Sequence, residues 1–110
     1  MPKYMVLYRS SVDATEQMSS STPEQAQEGM ALWMKWFEKT GPALIDFGSP
    51  VGKSQTVGSG TADTGLPIGG FSVVEADSPA AAKKLLDDHP HLHAPGAVIE
   101  VLEYLPMPGM

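Results

Sequence analysis

The chain has no cysteine, which excludes disulfides, thiolate catalysis and Cys-ligated zinc or iron–sulfur clusters, and by itself says little about compartment. It also lacks any apolar run of the ~18 residues that a membrane-spanning helix needs. Positive charge is scarce: seven Lys and Arg stand against thirteen Asp and Glu, a net charge of −6 at pH 7. Phosphate backbones and anionic membranes are repelled by that balance, so neither nucleic acid nor a membrane is an expected partner. The opening stretch Met1 to Tyr8 carries one lysine and only a short apolar run that stops at Arg9. It does not make a signal peptide, and the expected location is cytoplasmic. What remains is ordinary globular material, 42% hydrophobic and 18% charged over 110 residues, the length of a single domain (roughly 100–150 residues) spanning 1–110.

Histidine is scarce too, and all three stand together in His89-Pro90-His91-Leu92-His93. They run through Ala94-Pro95-Gly96 into Val98-Ile99-Glu100-Val101-Leu102, the clearest strand of the chain, rich in β-branched residues and stopped by Pro106 and Pro108. The most reactive side chains are therefore expected at the mouth of a sheet.

Taken in order, Tyr4 to Tyr8 is apolar at successive positions and predicts a strand buried on both faces. Ser10 to Ser21 is polar and reads as a loop. Thr22, Pro23 and Gln25 then form a helix start with a capping box. Ala26, Met30, Trp33, Met34 and Phe37 recur at helical spacing to about residue 40, where Gly41-Pro42 ends the helix. Ala43 to Gly48 predicts a short strand in which Asp46 is the polar exception. Residues 49–69 hold five glycines and predict a hairpin arm or lid, with a short strand near 54–57. Gly70 to Ala76 is the next strand, and Ser78-Pro79 starts a second helix whose buried stripe is Ala82, Leu85 and Leu86 and whose end is His89-Pro90.

This order, strand, helix, strand, arm, strand, helix, strand, is that of an α+β protein of the ferredoxin-like split βαβ type. Two helices cover only one face of such a sheet, yet its strands offer apolar side chains to both. The second face needs a cover, and a second copy of the same sheet in a two-fold homodimer is the expected one. A hydrophobic ligand or a different partner on that face is the alternative.

Lys3-Tyr4-Met5-Val6-Leu7-Tyr8, Gly41-Pro42-Ala43-Leu44-Ile45-Asp46-Phe47-Gly48-Ser49-Pro50, Gly70-Phe71-Ser72-Val73-Val74-Glu75-Ala76-Asp77-Ser78 and His91-Leu92 through Ala97-Val98-Ile99-Glu100-Val101 together resemble the YCII-related proteins. The resemblance implies a dimeric α+β barrel, two ferredoxin-like protomers joined through their sheets. It also implies, for some members, a histidine on the first helix paired with a nearby aspartate beside a cleft. Residues 22–40 contain no histidine, so that dyad does not carry over, and Asp46 is the nearest match for its acid.

Catalysis, if present, then falls to a loop histidine. His91 paired with Asp46 is the expected acid–base couple, because a near-neutral imidazole beside a carboxylate is the minimum needed to move a proton on a small substrate. Tyr8, Trp33, Trp36 and His93 are the expected binding residues, with Trp36 off the main helix stripe and free to line a pocket. A competing use of the alternating His89, His91 and His93 is metal binding with Asp46 or Glu100, whereas the plain alternative for His89 is a helix end. No cofactor and no metal are expected. Gly58-Ser59-Gly60-Thr61 lacks the Lys-Ser/Thr of a phosphate-binding loop and reads as a flexible tip, with Asp63 solvated. The function expected is binding or acid–base transformation of a small, partly apolar metabolite between first helix and sheet; the alternative is a non-catalytic binding or interaction module.

Overall fold

The computed structural model describes residues 1–60 and 65–109, so Thr61 and Asp63 of the expected flexible tip lie outside the described residues. Strand β1 (Lys3–Arg9) leads into helix α1 (Ala14–Ser20) and helix α2 (Pro23–Thr40). Strands β2 (Leu44–Pro50) and β3 (Ile68–Glu75), helix α3 (Pro79–Leu85) and strand β4 (Val98–Glu103) follow. Short 3₁₀ turns stand at Gly41–Ala43 and Pro90–His93. No helix among the described residues is long and apolar enough to cross a membrane.

The strands form one sheet in the order β2-β3-β1-β4, with every neighbouring pair antiparallel. β1 and β2 thus run parallel with β3 between them, as β3 and β4 do with β1 between them, which is the split βαβ arrangement. β2 reaches its register through two irregularities, between Leu44 and Asp46 and between Asp46 and Ser49. Gly48 (φ 76°) makes the second possible, because a Cβ there would stand 1.6 Å from the Phe71 carbonyl oxygen. Residues 51–67 connect β2 to β3; Val51 N–H donates to Gly69 O, and the expected strand near 54–57 does not form.

Local signals start the helices. Thr22 Oγ1 accepts from Gln25 N–H while the Gln25 side chain accepts from Thr22 N–H, completing the capping box. Ser78 caps α3 through Ala81 N–H, with Pro79 in the first turn. The loop expected at Ser10 to Ser21 contains α1 instead, capped by Asp13, whose carboxylate accepts from Glu16 N–H.

The core lies on the face of the sheet covered by α2 and α3. Tyr4, Val6 and Tyr8 of β1 meet Val74 of β3, Trp36 of α2, and Ala82 and Leu86 beside and within α3's end. α2 is turned from its expected orientation: Met30 and Met34 are 61% and 47% exposed, whereas Trp36 and Thr40 are buried and Trp33 and Phe37 pack on the core. Trp36 Nε1–H donates to Leu85 O and Thr40 Oγ1 to Trp36 O, so the indole buries with its polar atom satisfied. The molecule is 20 Å thick in its thinnest direction, one sheet plus one helix layer, since packed layers sit ~10 Å apart.

Candidate functional site

The histidine segment does not run extended. α3 stops at Leu85, and His89 takes the β conformation that a following proline favours (φ −61°, ψ 136°). Pro90 then opens the 3₁₀ turn Pro90–His93, and His89 Nδ1 caps it by accepting from His91 N–H at 3.0 Å. This turn splays the three imidazoles apart: His89 goes into the core, His91 to the end of β1, His93 to the surface.

His89 is fully buried. Its ring centroid lies 4.5 Å from Trp33, 4.4 Å from Trp36 and 4.8 Å from Tyr8. Because Nδ1 accepts a hydrogen bond, the proton of the neutral ring is on Nε2, which has no conventional partner and stands among aromatic rings. Burial above all, with the neighbouring His91 adding to it, pushes the imidazole down to about 3. His89 is therefore neutral at physiological pH and holds the turn in place.

Tyr8 closes the cluster from the sheet. Its hydroxyl donates to Ser72 Oγ (2.8 Å), which donates to Phe47 O (2.8 Å), and burial raises the phenol to about 12 against the opposing effect of Ser72. Trp33 meets the Tyr8 ring edge-on at 4.9 Å. His91 is half-buried, 5.3 Å from the Tyr8 ring, and its Nε2–H donates to Arg9 O at 2.8 Å. Pinned in that way, the neutral ring keeps its lone pair on Nδ1.

On the outer side of the turn, α2 and the residues before and within it bound a groove of about 150 Å³. Leu32, Trp36 and Pro90 form its apolar wall, and Lys35, Lys39, Asp88 and His93 its polar rim. Lys39 and Asp88 make an ion pair across the rim, and the ammonium group holds the Asp88 carboxyl below its usual range. Among the described residues Lys35 makes no ion pair or hydrogen bond.

Asp46 is elsewhere. It pairs with Val73, which pairs with Met5, and residues opposed in register share a face. That face is the one away from the helices, while the His91 ring meets Tyr8 on the helix face. Arg9, whose carbonyl holds His91, is four residues along β1 from Met5, roughly 13 Å at ~3.3 Å per residue. The Asp46 carboxylate accepts from Gly48 N–H at 2.8 Å and serves the bulged turn of β2. The expected coupling of His91 to Asp46 is not assembled within the chain.

Of the expected binding residues, Tyr8, Trp33 and Trp36 converge, but on His89 rather than on an open pocket. Trp36 is 3% exposed and also lines the groove. His93 lies on the rim of the groove. Among the described residues no group of three or more His, Asp or Glu side chains could hold a metal ion.

The family model described as the YCII-related domain matches residues 3–108. This chain belongs to the YCII-related family. No curated protein matches it. Among solved structures, the YCII-related chain is similar to the 5-chloro-2-hydroxyhydroquinone dehydrochlorinase of Burkholderia phenoliruptrix AC1100, in complex with 2,5-dihydroxybenzoquinone, at 19% identity. The match covers 88% of this chain and 90% of that one, with a TM-score of 0.47.

Two features of this YCII-related chain escaped sequence reasoning. His89 was assigned to a helix end, although a histidine directly before proline and two residues before a backbone N–H that needs a cap is a visible signal. Lys35 and Lys39, one helical turn apart, share a face with Leu32 and Trp36; only the folded turn adds Asp88 and His93 to them.

Proposed function

We propose that this YCII-related protein binds a small, partly apolar molecule, and that the binding itself involves no acid–base chemistry by Asp46. The groove beside the histidine turn supports this reading: an apolar wall with an indole floor next to a polar rim fixes both the contact area and the orientation of a ligand. The ionisable groups behind the groove are spent on structure, since His89 is neutral and the Tyr8 hydroxyl is committed to Ser72. The Trp33→Phe protein has Trp36 as its single tryptophan, so its fluorescence reports the groove during a fragment titration. Saturable quenching by small ring compounds is the expected result. Unchanged Trp36 emission across such a library, with the fold intact, overturns it.

The pinned His91 ring with its free lone pair favours a second reading, a catalytic base acting without Asp46. A substrate turned over by the wild type at a rate that His91→Gln lowers at least about 100-fold would establish it. Equal rates for both proteins would remove it.

We also propose that the working unit is a homodimer joined through the sheet face opposite the helices. Met5, Leu7 and Phe71 lie half-buried there, and Val98 and Leu102 are 47% and 43% exposed. An apolar face of this kind is rarely left to water. Light scattering is expected to give twice the chain mass for the wild type and one chain mass for Leu102→Glu. A monomeric wild type at micromolar concentration refutes the dimer.

A further inference from the structure

The groove also indicates what kind of molecule it takes. Its volume of about 150 Å³ is well below the ~300–1,000 Å³ of sites for drug-sized ligands, so it holds one ring or one short chain. Trp36 contributes ring surface without a free donor, because its Nε1–H is bound to Leu85 O. Beside Trp36, Pro90 and Leu32, the charged groups of the lining are unequal. Lys39 is paired with Asp88, whereas Lys35 makes no ion pair or hydrogen bond among the described residues. His93 adds a nitrogen hydrogen-bonding group on the same rim.

The rest of the molecule sharpens this asymmetry. The chain carries −6 overall and only seven Lys and Arg, yet two of those seven line this one groove. A single unpaired cation beside an indole, in a protein of net charge −6, selects for one negative charge held at a fixed distance from an apolar body. A dianion would leave its second charge without a cation on this rim, in a chain that carries −6 overall.

Resting on the proposal that this groove is the binding site, we infer that its ligand is a small monoanion, a carboxylate on a single ring or short apolar chain. The carboxylate meets Lys35 and His93, and the apolar body lies on Trp36, Pro90 and Leu32. Lys35 is the specificity-determining residue, and the Lys39–Asp88 pair sets the width of the rim.

Benzoate and its neutral isostere benzamide separate the possibilities in backbone-amide NMR titrations of the full chain. Expected is a saturable benzoate shift at residues 32–39 and 88–93, at least about tenfold weaker for benzamide, because a charge-assisted hydrogen bond to Lys35 is lost. Lys35→Met is expected to lower benzoate affinity by a similar factor while Lys35→Arg restores most of it, and added salt weakens wild-type binding but not that of Lys35→Met. If benzoate and benzamide shift the groove equally, or Lys35→Met binds benzoate as the wild type does, the monoanion inference falls and the groove remains a binding site. If neither compound shifts the groove while both shift another region, the site itself is wrong and both readings fall together.

Discussion

The two sides of the Pro90–His93 turn put the same side chain to opposite uses. Facing inward, His89 is wrapped by Trp33, Trp36 and Tyr8 and caps the turn with Nδ1; facing outward, His93 stands on the rim of an open groove with Lys35. Four positions along the chain separate a group that has lost its charge to burial from one left exposed. The difference shows that the chemistry of a histidine cluster is set by the turn that distributes it. An extended strand would have aligned the three rings; a 3₁₀ turn sends them in different directions.

The inward side should break first. His89→Ala removes a ring from the centre of the aromatic cluster and the cap on His91 N–H together, and is expected to cost about 3 kcal/mol or more, read from the urea midpoint at constant slope. A loss below ~1 kcal/mol would mean that His89 is not a packing element.

Acid should find the same residue. His89 is lowered to about 3 in the folded protein against ~6.5 unfolded, so the unfolded chain takes up the proton first. The stability that this group contributes is complete above pH ~6.5 and is lost as pH falls toward 3, with a slope of up to ~1.4 kcal/mol per pH unit. Urea titrations across that window are expected to show the slope in the wild type and a shallower one in His89→Gln; parallel profiles would contradict the buried neutral imidazole.

Smaller changes sharpen the contrast. Tyr8→Phe deletes the hydroxyl that donates to Ser72 Oγ, while Ser72 keeps Phe47 O, and is expected to cost about 1 kcal/mol. His93→Ala, on the exposed side, is expected to stay within ~0.5 kcal/mol of the wild type. A His93 effect as large as that of His89 would abolish the distinction between the two sides.

Much of the framework is legible in the sequence, because it rests on short-range signals. The capping box of Thr22 and Gln25, the Ser78-Pro79 start and the order of strands all work within a few residues, and they reappear in the structure. The family followed from motifs spread along the chain. Helix α1 was missed although Asp13 and Glu16 carry a cap signal, because the serines and threonines around it read as a loop.

The candidate site was legible only as a list of residues. Sequence spacing placed Met30 and Met34 on the buried stripe and Trp36 off it, yet the helix rolls so that Trp36 reaches Leu85 O and shields His89. Asp46 stood out as the polar residue of an apolar strand, but bulges around Gly48 and the register with Val73 put it on the face away from the histidines. From the sequence alone came what short range and composition control: helix starts, strand order, fold class, and an acidic chain with one histidine cluster. Which histidine is buried, which lysine stays unpaired and which face Asp46 occupies were left to tertiary structure, because each depends on groups far apart in the sequence meeting across the sheet and the turn.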